Sequence, residues 1–116
     1  MPVWTTISKP QRSTEERVYR ASGKEVADVV QGYLREKGWE KSFVIGYDSD
    51  SFISITYYRT SKMLITDDHA FVTVDPVETK PGCVDVSVEI ETIWGIPSDT
   101  RYDILDRLDA RWKQIK

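Results

Sequence analysis

Val84-Asp85-Val86-Ser87-Val88-Glu89-Ile90 alternates β-branched and polar residues without a break, and Glu91, Thr92, Ile93 and Trp94 follow it. Successive side chains of a strand point to opposite faces. The stretch therefore buries its valines against a core and shows Asp85, Ser87, Glu89 and Glu91 on the other side. A strand of a parallel sheet would be apolar throughout, so the pattern belongs to an antiparallel sheet covered on one face only.

The cover comes from helices. Ser22 with Glu25 three residues on is a capping box, and Gly38 supplies a stop. Between them Val26, Val29, Val30, Tyr33 and Leu34 recur at helical spacing as one apolar stripe, with Lys24, Asp28, Gln31 and Arg35 on the wet side. A second helix is expected after Pro97, with Ser98 as N-cap, Asp99 in the first turn, and a stripe of Ile104, Leu105, Leu108, Trp112 and Ile115. Asp103, Arg107 and Arg111, and separately Asp109 and Lys113, stand four apart as a solvated charged face.

Strands are expected over residues 39–47, 51–58, 69–75 and 83–94, with turns at Asp48-Ser49-Asp50 and over 76–82. A short strand around Val18 precedes the first helix. Residues 1–15 form an edge strand or a loosely ordered segment that packs Trp4 onto the domain, and Met63, Leu64 and Ile65 are too short a run to assign by periodicity. The expected fold is a single α+β domain over residues 1–116, with an antiparallel sheet of four to five strands, both helices on one face, and the order β-α-β-β-β-β-α. This order resembles that of the TATA-binding-protein-like half-domains and, more distantly, the helix-grip folds. Resemblance of layout alone implies no activity.

Composition narrows the function classes. With 40% hydrophobic and 30% charged residues the chain reads as a soluble globule rather than a disordered one. Its net charge is −3, from 16 Lys and Arg against 19 Asp and Glu, and it shows no basic stripe, which argues against a nucleic-acid partner. No apolar stretch is long enough to span a membrane, and the first ten residues lack the apolar core of a secretory signal. One cysteine, Cys83, excludes an intrachain disulfide and the multi-cysteine zinc patterns. A cytoplasmic location is the expectation.

The chemistry-bearing residues read as structural. His69, the only histidine, follows Asp67 and Asp68. If Asp75 and Cys83 flank the hairpin turn, His69 falls opposite Glu89 with Glu91 one pleat away, a surface His–Glu pair with too few ligands for a metal ion. The same register puts Cys83 about 20 Å from His69, far beyond the ~3 Å a thiolate–imidazole dyad needs. Asp48, Ser49, Asp50 and Ser51 resemble the start of a calcium loop but lack its glycine and distal glutamate. With no phosphate loop and no nucleophile elbow, the chain reads as non-enzymatic, with no catalytic residue, metal or cofactor assigned.

The face opposite the helices is harder to explain as core. Alternation puts Ile53, Ile55 and Tyr57 inward with Val72 and Val74, which leaves Phe52, Tyr58 and Phe71 outward beside Asp85, Glu89 and Ile93. An acidic face carrying aromatics marks a contact with a protein partner or a second copy of the chain, unless the N-terminal segment folds over it. The alternative is a carrier that holds a small apolar ligand between sheet and C-terminal helix, lined by Phe43, Trp94, Tyr102 and Trp112.

Overall fold

The alternation at residues 84–90 translates directly into burial: Val84, Val86, Val88 and Ile90 are at most 4% exposed, and the residues between them are half-buried on the other face. The computed structural model describes residues 11–47, 51–60, 67–92 and 99–115. In chain order these form β1 (Gln11–Arg20), α1 (Gly23–Glu36), β2 (Glu40–Ile45), β3 (Ile53–Thr60), β4 (Asp67–Pro76), β5 (Cys83–Thr92) and α2 (Thr100–Asp109). The strands make one antiparallel sheet in the order β1-β5-β4-β3-β2, an α+β fold with the expected element order. Met63, Leu64 and Ile65, the Asp48-Ser49-Asp50 turn and Ser98 lie outside the described residues.

Both helices pack on the face that carries Tyr19, Ile53, Ile55, Tyr57, Val72, Val74 and the β5 valines, α1 over β2 to β4 and α2 over β1 and β5. Ser22 caps α1 by accepting the Glu25 amide at 3.4 Å. At the other end Trp39 N–H bonds the Leu34 carbonyl and Gly38 N–H that of Arg35, with Gly38 at φ +86°, a Schellman motif whose flanking Leu34 and Trp39 are both buried in the core. Trp39, expected to open β2, thus belongs to the helix stop and is 3% exposed.

Gln31 is a correction: it lies on the core side of α1, one turn from Ala27, and accepts the Tyr57 hydroxyl at 2.9 Å. A buried phenol requires an acceptor, and a glutamine on the flank of the stripe supplies it. Tyr57→Phe strands the Gln31 amide and is expected to lower stability by about 1–2 kcal/mol, whereas Tyr57→Phe with Gln31→Met removes both partners and recovers most of the loss. Chemical denaturation of the two variants checks this.

Three further expectations change. β1 runs ten residues rather than a short stretch around Val18, because it is an edge strand whose helix-side residues Ser13, Glu15 and Arg17 are only half-buried and write no apolar alternation. The helix α2 ends at Asp109, so Trp112 and Ile115 lie beyond it, on a tail that returns to β1, where Ile115 N–H bonds the Val18 carbonyl at 2.8 Å. The charges on α2 are exposed yet engaged. Asp109 receives the Tyr19 hydroxyl at 2.7 Å and Arg17 at 2.6 Å, Asp103 accepts from Tyr33, and Arg107 pairs with Glu36 at 3.2 Å.

Candidate interaction face

Below the helices the sheet shows its second face, and strand register arranges this face in rows. One row runs Thr14, Glu89, Phe71, Thr56, Phe43 from β1 to β2. The next runs Glu16, Ser87, Thr73, Ser54, Ile45, and below it Val18, Asp85 and Asp75 stand abreast. On the other side Arg12, Glu91, His69, Tyr58 and Glu40 complete the pattern.

A bulge decides the apolar end. Pairing jumps from Lys41 opposite Tyr57 to Phe43 opposite Thr56, so Phe43 turns to the open face and carries Ile45 with it. Phe43 is 48% exposed, Ile45 58%, and Phe52, which precedes β3, 47%. Thr56, flanked by Phe43 and Phe71, is buried beneath them. Phe71 and Tyr58 are half-buried, and Phe71 stacks on His69 with centroids 5.8 Å apart.

The other end is charged. His69 pairs with Glu91, its Nδ1 3.7 Å from Oε1, while Arg12 Nε donates to Oε2 at 2.8 Å. The expected partner, Glu89, faces Phe71 instead and accepts from the Thr14 hydroxyl at 3.4 Å. The offset of two residues arises at the turn, where Val77 N–H bonds the Cys83 carbonyl and the ladder continues to Pro76 opposite Val84. An even offset moves partners but keeps each side chain on its face. It also lengthens the separation of Cys83 from His69 to eight residues along β5, about 26 Å. Cys83 itself is buried.

Asp75 and Asp85 face each other directly, with Glu16 beside them. Burial of the Asp85 carboxyl, the negative charge of Glu16, a hydrogen bond to it, and Asp75 raise Asp85 from 3.8 to about 6. Between these values the folded chain binds more proton than the unfolded one, so the contribution of Asp85 to stability is full below about pH 4 and is lost as the pH rises through 6. Asp85→Asn is therefore expected to melt higher than the parent at pH 7 and to show no such advantage at pH 4. Thermal melts at both pH values check the sign.

Of the residues singled out from sequence, Tyr58, Phe71, Asp85 and Glu89 share the open face, Phe52 is exposed one residue ahead of β3, where continued alternation puts it on the same side, and Ile93 and Trp94 lie outside the described residues. Phe43 and Tyr102, expected to line one ligand space, are exposed on opposite sides of the sheet, and Trp112 is half-buried beyond α2. Arg12, Glu16, Ile45 and Asp75 join the face without having been singled out. Among the described residues no three His, Cys, Asp or Glu converge as metal ligands would, and no helix is long and apolar enough to cross a membrane. No family model and no curated protein matches the chain.

Proposed function

We propose that this protein is a small non-enzymatic interaction domain whose open sheet face engages another protein of opposite charge. One observation carries the reading: both helices lie on one face, while the other presents Phe43, Ile45, Phe52 and Phe71 beside a band of carboxylates. Apolar area of this kind contributes about 25 cal/mol per Å² once covered. Glu16, Glu40, Asp75, Asp85, Glu89 and Glu91 outweigh Arg12 and Arg20 on this face, so a second copy would meet like charge and a basic partner would meet complementary charge. The free thiol of Cys83 suits a reducing compartment such as the cytoplasm.

A photo-crosslinking residue at Thr73, in the middle of the face, tests the reading in extracts of the source cells, with the same residue at Arg35 on α1 as control. The expected result is an adduct of defined mass from Thr73 alone, weakened by salt and lost with Phe71→Glu, a variant that melts lower than the parent but still cooperatively because Phe71 lies opposite Glu89 and outside the core. An adduct insensitive to Phe71→Glu, or one at twice the mass of the chain, contradicts it.

A further inference from the structure

We infer that the element seated on this face is a basic amphipathic α-helix laid across the strands, its N-terminal end over Glu16 and Glu89 and its apolar C-terminal half on Phe43 and Ile45. The inference rests on the reading of the open face as an interaction surface, and it follows from relief and backbone chemistry.

Ser87, Thr73 and Ser54 stand abreast on the central strands as a floor of small side chains. On β4 this floor is bounded by Phe71 on one side and Asp75 on the other, four residues apart, or about 13 Å. A helix with its side chains is about 10 Å across and fits that trough. From Glu16 on β1 to Ile45 on β2 the trough crosses the whole sheet, about 19 Å, which a helix of roughly 13 residues spans.

Backbone chemistry selects the helix. The peptide groups of the inner strands are taken up in the ladders, so the face offers none to an extended partner segment. An occupant must satisfy its own N–H and C=O groups internally, and a helix does so. Charge then fixes composition and direction. Glu16, Asp85 and Glu89 crowd one end of the trough, which favours lysine or arginine there and the positive end of the helix dipole, while Ile45, Phe43 and Phe52 at the other end call for aliphatic residues.

Three labelled 14-residue helical peptides, titrated into the full chain and followed by fluorescence anisotropy, test this. The first carries lysines in its N-terminal half and a leucine stripe in its C-terminal half, the second has the halves exchanged, and the third has glutamate in place of lysine. The first is expected to bind several-fold more tightly than the second and roughly tenfold or more than the third. Glu89→Lys should cost the first peptide roughly tenfold at unchanged melting temperature, and Thr73→Trp, which fills the floor, should block it. Equal affinity for all three peptides, or indifference to Glu89→Lys, overturns the inference. A face-specific adduct from Thr73 combined with failure of all three peptides overturns the helix alone, and absence of both overturns the interaction reading with it.

Discussion

Val88→Asp is expected to leave no cooperative thermal transition, whereas Glu89→Lys, one residue on, should melt within a few degrees of the parent. Val88 is fully buried at the middle of β5, paired with Val72 on β4 and Glu15 on β1, and its side chain lies under the helices. A carboxylate there loses its hydration and gains no partner, a cost of several kcal/mol on top of the lost valine. Domains of this size have only about 5–15 kcal/mol in total. Glu89 has its carboxylate on the open face, 3.4 Å from the Thr14 hydroxyl, and its reversal disturbs little of the fold. Circular dichroism melts of both variants check the contrast, and equal melting temperatures would mean that the two faces of β5 are wrongly assigned.

Gly46→Ala is expected to cost about 2–4 kcal/mol, a fall of roughly 10 °C in melting temperature. Gly46 follows β2 at φ +81°, and a Cβ there would overlap the Phe52 carbonyl oxygen. Neither the left-handed backbone nor the clash can be relieved without moving the start of β3, and with it the exposed Phe52. Gly32, in the middle of α1 with nothing within 4 Å of its would-be Cβ, gives the opposite sign: Gly32→Ala should stabilise by about 0.5–1 kcal/mol. Melting both variants against the parent separates backbone strain from helix propensity.

The contrast between these glycines shows where residues speak for themselves. Alternation at residues 84–90 and the caps of α1 are local signals, and they hold because propensity, pattern and packing agree there. β1 was legible only near Val18, since this edge strand fully buries a single residue, Tyr19, and its other helix-side positions, Ser13, Glu15 and Arg17, are polar. Gln31 reads as a wet-face residue in the sequence because its burial depends on Tyr57, 26 positions away. The open face followed the same division. Phe71, Tyr58, Asp85 and Glu89 could be placed from parity alone, and parity survives an even shift of register. Phe43 and Ile45 could not, because the bulge between Lys41 and Phe43 reverses parity within β2 and nothing in Glu40-Lys41-Ser42-Phe43 announces it. Asp75 was visible as a residue, and its apposition to Asp85 became visible only with the turn geometry.

Hydroxyl-radical footprinting read by mass spectrometry tests the central claim most directly, by comparing oxidation of Phe43, Phe52 and Phe71 with that of Tyr102, exposed on α2 across the sheet. In the free chain Phe43 and Phe52 are expected to oxidise as readily as Tyr102. In the Thr73-crosslinked complex all three phenylalanines should be protected while Tyr102 is unchanged. Protection of Phe43 and Phe52 already in the free chain would contradict the account, because residues 1–10 or another part of the same molecule would then cover the face proposed for a partner.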